Sequence, residues 1–130
     1  MSNYHKTNQL LNSEESSDVF SRDGVQKTVL RKLKKGAFPV LDEIDLHGLT
    51  VNEALTLVEH EINSIRNERI TCVSIIHGKG LGSPGKKSKL KPTVLNYLRT
   101  DHRVLAFCPA ARNRGGSGAT FVLLRRKEIV

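Results

Sequence analysis

Along residues 51–65, apolar side chains recur at Val51, Ala54, Leu55, Val58, Ile62 and Ile65, the spacing of one face of an amphipathic helix. Thr50-Val51-Asn52-Glu53 stands at its head as a capping box, in which the side chains of Thr50 and Glu53 satisfy free amides. The pattern predicts a helix from Thr50 to about Asn67. Leu41 to Leu46 instead alternates apolar and acidic residues, predicting a strand that Gly48 breaks. Thr71–Ile76 is a nearly unbroken apolar run that predicts a buried strand. Pro92 suits the first turn of another helix that carries Val94, Leu95 and Leu98 inward. Val104–Cys108 predicts a third strand, residues 109–118 a Pro/Arg/Gly loop, and Ala119–Leu124 a fourth strand that ends in Arg125-Arg126-Lys127.

Upstream, Val25, Val29, Leu30 and Leu33 predict a short helix capped by Asp23 and stopped by Gly36 and Pro39. Its outer face is basic, with Lys27, Arg31, Lys32, Lys34 and Lys35. Residues 1–22 are polar and acidic and lack an apolar period, so they are expected to form a disordered tail. The expected organisation is thus a tail over 1–22, a basic lead-in helix over 23–39 and a domain over 40–130.

The domain's order is β-α-β-α-β-β, an α/β pattern. Strands that alternate with helices imply crossover connections, so the first three strands should run the same way. The fourth follows a short loop and should pair antiparallel with a neighbour. The expected sheet is four-stranded and mixed, with helices over at least one face.

A chain of 130 residues fits one domain that needs no staples. Cys72 and Cys108 both lie in apolar runs and read as buried thiols in a reducing compartment. The first residues are polar, and no apolar run approaches the 18 or so residues of a membrane span. A soluble, cytoplasmic protein with no membrane partner is expected. The net charge of +8 is unevenly placed. Residues 1–24 carry Lys6 and Arg22 against Glu14, Glu15, Asp18 and Asp23, whereas residues 86–127 hold eleven Lys or Arg against Asp101 alone. That asymmetry points to a polyanionic partner.

Topology gathers the candidate chemistry. Parallel strands joined by crossover helices place their C-terminal ends along one edge, where ligands bind in open α/β sheets. His47 follows the first strand, His77 the second, and the loop 110–118 the third. Asp45 and His47 are two apart and share a side of the strand, so Asp45 could orient the imidazole; the alternative is that Asp45 caps a turn and His47 packs against the helix. In His77-Gly78-Lys79-Gly80 the glycines let a ligand approach the backbone, exposed amides can bind phosphate oxygens, and Lys79 adds a charge; the alternative is a glycine-rich turn with an incidental histidine. Lys86, Lys87, Lys89 and Lys91 follow, suited either to a nucleic-acid backbone or to plain solvation. Arg112 and Arg114, with Gly115, Gly116 and Gly118, could hold a phosphate through amides and guanidinium groups, or merely make a tight connection.

Gly80–Lys87 nearly fits a nucleoside-triphosphate loop, but Lys87 stands where a magnesium-binding hydroxyl is needed. Clustered Cys or His for a zinc site is missing, and His5, His60 and His102 read as incidental.

Ile44-Asp45-Leu46-His47-Gly48, Ile76-His77-Gly78-Lys79-Gly80 and Gly115-Gly116-Ser117-Gly118-Ala119-Thr120, in this order and context, resemble the Smr (small MutS-related) domain over about residues 41–127. The resemblance implies a two-layer α/β sandwich similar to the C-terminal domain of translation initiation factor three. It also implies nucleic-acid binding and, in several members, endonuclease activity on DNA or RNA. The family's Asp-x-His motif falls on Asp45 and His47, its His-Gly-x-Gly on His77, Gly78 and Gly80, and its glycine motif on Gly115, Gly116 and Gly118. The long lysine insertion after Gly80 is less typical.

The expected chemistry is phosphodiester cleavage: one histidine removes a proton from the attacking oxygen, the other protonates the leaving oxygen, and Asp45 orients His47. Lys79, Arg114 and loop amides would offset charge on phosphorus. With RNA the 2′-hydroxyl can attack and no cofactor is needed. With DNA an activated water is required, and a divalent metal held by Asp45 and a histidine becomes plausible. The site is poor in carboxylates, which favours the metal-free route and RNA. Two Tyr, four Phe and no Trp leave little for base stacking, so recognition should be of backbone or shape. The competing readings are a noncatalytic nucleic-acid clamp using the same loops and an adaptor docking on a ribonucleoprotein through the acidic tail or basic helix.

Overall fold

The computed structural model describes residues 17–78 and 89–128. Within them one sheet holds β1 (Phe20–Ser21), β2 (Val40–Asp45), β3 (Thr71–Ile76), β4 (Val104–Pro109) and β5 (Ala119–Leu124). Three α-helices accompany it: α1 (Lys27–Lys34), α2 (Val51–Ile65) and α3 (Leu90–Thr100). The spatial order is β1-β4-β5-β3-β2. β2 pairs parallel with β3, and β5 runs antiparallel between β3 and β4. β2, β3 and β4, the three strands linked by the crossover helices, therefore point the same way, as the alternating pattern predicts.

Two expectations are corrected. The sheet has five strands, not four, because Phe20 and Ser21 pair antiparallel with Phe107 and Ala106. Two residues are too few to show a period; tertiary contacts make this strand. The Phe20 ring lies 5.3 Å from that of Phe107, and the Arg22 guanidinium donates to the carbonyls of Arg99, Asp101 and Val104. The expected disordered tail thus does not extend over residues 17–22, while residues 1–16 lie outside the described residues.

The second correction concerns layers. One core packs α2 and α3 on the sheet through Val58, Ile62, Leu98, Phe107 and Val122. On the opposite face Leu33 of α1 is buried with Cys72, Cys108, Phe121 and Leu123. Burying a leucine fully is worth about 1.5–3 kcal/mol. The lead-in helix is therefore a partial third layer, built into the fold rather than standing before a two-layer sandwich. It begins after Gln26, with no side-chain cap, and Asp23 stays exposed and does not cap it. Gly36 does end it, at φ +71°.

Other local expectations hold. Thr50 Oγ1 accepts the Glu53 amide at 3.2 Å, and Glu53 Oε1 accepts the Thr50 amide at 2.9 Å. Pro92 lies in the first turn of α3. Cys72 and Cys108 are free and buried, and burial pushes both thiols up to about 11, which makes them poor nucleophiles. Among the described residues no helix is long and apolar enough to cross a membrane.

Candidate active site and nucleic-acid interface

Strand register carries the three motifs to one edge. Asp45 pairs with Ile76, and Ile76 with Ala119. The ends of β2 and β3 and the start of β5 thus form one row, about 10 Å across at the usual strand spacing. The Leu46 amide extends the ladder to the Ile76 carbonyl (2.8 Å), and the Ala110 amide donates to the Ala119 carbonyl (3.0 Å). His47, His77 and the glycine loop all leave this row at the same end.

The second and third motifs dock directly. The Gly118 carbonyl accepts both the His77 and Gly78 amides, at 3.2 and 3.0 Å. The loop before it runs through two short 3₁₀ turns, Arg112–Arg114 and Gly116–Gly118. Gly115 joins them at φ +116°, and a Cβ there would meet the Ala119 Cβ at 2.9 Å. Backbone conformation and close approach both demand glycine at this position.

His77 is not presented to a ligand. It is 5% exposed, with Nδ1 2.7 Å from the Gly78 carbonyl and Nε2 2.7 Å from Thr120 Oγ1. A carbonyl only accepts, so Nδ1 carries the proton, and Nε2 of the neutral ring accepts from the Thr120 hydroxyl. Burial lowers the His77 pKa, and the nearby Lys91 ammonium lowers it further; the Gly78 bond and Asp18 pull the other way without prevailing. Strand alternation explains the placement. His77 continues the parity of Val73 and Ile75, which face α2 and α3, and Thr120 shares that side with Val122 and Leu124. The expectation that both histidines face one groove is corrected for His77.

Asp45 and His47 are exposed. Asp45 Oδ1 accepts the backbone amide of His47 at 2.9 Å. The carboxylate therefore shapes the turn between β2 and α2 rather than gripping the imidazole, which corrects the expected contact. Gly48, at φ +80°, completes that turn.

Arg112 and Arg114 are also exposed, and the Arg114 guanidinium sits 5.3 Å from the centre of the Phe121 ring, as that of Arg22 sits 5.1 Å from the centre of Phe20. Arg114 and Phe121 line a groove of about 330 Å³ with Val40, Glu43 and Ser74. This groove opens on the α1 side of the sheet, the side to which Phe121 belongs. Glu43 lies two residues before Asp45, so their side chains leave β2 on that same side.

The lysines divide. Lys91 is occupied: its Nζ lies 2.8 Å from Asp18 Oδ2 and donates to the Ser117 carbonyl at 3.1 Å, so it ties the N-terminal segment to the glycine loop. This corrects its reading as a free phosphate contact. Lys89 is exposed at the head of α3. Lys79, Gly80, Lys86 and Lys87 lie outside the described residues. Among the described residues no three His, Cys, Asp or Glu cluster as a metal site would.

Sequence reasoning missed Thr120 as the partner of His77, and Glu43, Ser74 and Phe121 as groove walls. Ser74 did carry a signal, being a polar residue in an otherwise apolar strand.

Comparison with known proteins bears on family and fold. The Smr domain profile matches residues 44–125. The chain is 34% identical over 107 residues to the "Probable DNA endonuclease SmrA" of Escherichia coli, a match over 82% of this chain and 57% of that protein. It is 35% identical over 115 residues to the "Ribosome rescue factor SmrB" of Aliivibrio salmonicida, over 88% of this chain and 61% of that one. The chain thus spans about three-fifths of the length of these curated relatives. The crystal structure of YdaL, a stand-alone small MutS-related protein from Escherichia coli, superposes with a TM-score of 0.64 at 30% identity, covering 86% of each chain. With its motifs on one sheet edge and its fold shared with that structure, the chain belongs to the Smr domain family.

Proposed function

We propose that this protein binds nucleic acid and cleaves its phosphodiester backbone, RNA ahead of DNA, without a resident metal. The observation that carries the reading is the Asp45–Ile76–Ala119 row, which brings the exposed His47 turn and the arginine–glycine loop to a single edge. The relatives named as a probable DNA endonuclease and a ribosome rescue factor support nucleic acid as the ligand class.

His47 is the acid–base group. Its neutral imidazole takes the proton of a 2′-hydroxyl as that oxygen attacks phosphorus. The bond from phosphorus to the 5′-oxygen breaks, and the imidazolium returns the proton to the leaving oxygen. The products are a 2′,3′-cyclic phosphate and a 5′-hydroxyl. Such proton transfer contributes about 10²–10⁴-fold in rate. Arg112 and Arg114 offset charge on the non-bridging oxygens, as Lys79, two residues after His77 in the sequence, would. Asp45 holds the turn that aims His47. His77, buried and neutral, is a positioning residue: through Gly78, Thr120 and Gly118 it keeps the glycine loop against β3.

The similarity to a ribosome rescue factor favours ribosome-associated RNA as a more specific substrate. The test is incubation of the purified chain with single-stranded RNA, duplex DNA and branched DNA, with and without EDTA, followed by analysis of product ends. Cyclic-phosphate ends on RNA in EDTA support the proposal. Cleavage of DNA alone, abolished by EDTA, overturns the metal-free RNA route. Binding without any cleavage leaves the noncatalytic clamp.

A further inference from the structure

Helix α1 carries a cationic stripe that the proposed chemistry does not use. Lys27, Arg31, Lys34 and Lys35 are all exposed, and the helix contains no acidic residue. Lys27, Arg31 and Lys34 or Lys35 recur at helical neighbour spacing, so like charges face one another, an arrangement that costs helix stability. The helix dipole explains cations in the last turn, but Lys27 stands in the first, where the dipole disfavours it. Among the described residues the ion pairs are Lys91–Asp18 and Arg103–Asp101, so no carboxylate of residues 17–78 or 89–128 neutralises this stripe.

The stripe also has a direction. Gly36, just past the helix, lies where an added Cβ would be 3.8 Å from the Ala111 Cβ and 3.7 Å from the Phe121 ring. Ala111 leads into Arg112–Arg114, and Arg114 covers Phe121. α1, the two loop arginines and the groove beside Glu43 and Ser74 therefore share one face of the sheet. Asp45 opens onto that face, while His77 turns away from it.

We propose that α1 is a sugar-phosphate binding surface, continuous with Arg112 and Arg114, that holds the nucleic-acid strand flanking the stretch bound at the candidate site. This rests on the nucleic-acid reading above and adds the face and the contacts. Each exposed cation releases a counterion when it meets a phosphate, so the surface should show in the salt dependence of binding.

The experiment compares the full chain with the variant Lys27→Gln/Arg31→Gln/Lys35→Gln and with a control, Arg69→Gln/Lys127→Gln, at the opposite end of the sheet where both residues are exposed. Binding of a fluorescent single-stranded RNA is followed by anisotropy across a salt series. The α1 variant should bind at least tenfold more weakly at low salt, and its log–log salt slope should fall by about 2, near 0.7 for each lost contact on a single strand. The control should keep the wild-type slope. Lys27→Glu alone, a change that leaves the buried face untouched, should weaken binding in the same direction. An α1 variant with wild-type affinity and slope overturns the proposal, as does an equal loss in the control, which would mean net charge alone. Loss of binding to phosphatidylserine vesicles with RNA binding intact overturns it in favour of a membrane surface. Cleavage separates the two readings. Wild-type protein that binds through α1 but never cuts sinks the nuclease and spares the surface. An α1 variant that binds and cuts normally does the reverse.

Discussion

The two motif histidines leave neighbouring strands at the same sheet edge, yet they are opposites. His47 sits exposed in a turn shaped by the Asp45 carboxylate. His77 is shut beneath the edge with both ring nitrogens bonded. The difference teaches that a histidine at a strand end is not by itself a reacting group. Parity decides which layer the ring enters, and burial then decides whether it can exchange a proton with a ligand or only hold the backbone that surrounds one.

The comparison breaks most readily at the histidines themselves. His47→Ala should lower cleavage by about 10²–10⁴-fold while changing stability by no more than about 0.5 kcal/mol. Initial rates on RNA, with a denaturant melt of the same preparation, test both halves. His77→Ala should do the reverse first. It opens a cavity and leaves the Thr120 hydroxyl and Gly78 carbonyl unpaired, so a loss of about 2–4 kcal/mol is expected from the shift in denaturant midpoint. A His77→Ala protein as stable as wild type would end the distinction.

The glycine loop sharpens it at similar size. Gly115→Ala combines a left-handed φ with a 2.9 Å approach to Ala119, and should cost about 2–4 kcal/mol. Gly116→Ala, at φ +52° with open space around it, should cost only about 1–2 kcal/mol. Thermal melts of the pair rank the two positions.

A smaller effect of His77 depends on pH. Burial lowers the His77 pKa below its unfolded value near 6.5, so the unfolded chain binds the proton more readily. The stability this group contributes is complete above about pH 6.5 and falls with decreasing pH toward the folded pKa, at up to about 1.4 kcal/mol per pH unit. Urea melts between pH 7.5 and 5 should show that slope in the wild type and lose it in His77→Gln. A second decline belongs to Asp101. Burial raises its pKa, but bonds from Arg103 and Tyr97 outweigh this and hold it at about 2, so its contribution fades below about pH 4. The smallest change is Asp18→Asn. It removes a partly exposed ion pair to Lys91 and should cost about 0–1 kcal/mol in the same melts.

The features legible in the chain are those in which neighbours in sequence are neighbours in space. The helical period of Val51–Ile65, the Thr50–Glu53 box, the apolar run at Thr71–Ile76 and the glycine stop at Gly36 are local, and each is where the pattern puts it. The alternation of strands and helices also foretold which strands run together, because a crossover returns the chain in the same sense. This much sufficed to bring Asp45, His47, His77 and Gly115–Gly118 to one edge.

What remained for the tertiary structure was every decision that depends on a distant partner. Phe20–Ser21 became a strand only because β4 offered an edge, and α1 became a layer only because Phe121 and Leu123 left an apolar face to cover. Lys91 was taken by Asp18, 73 residues away, and the His77 ring by Thr120, 43 residues away. Local pattern reports where a side chain can be presented. Whether it then meets solvent, a core or a counter-charge is set by elements far along the chain, and that choice separates the exposed His47 from the buried His77.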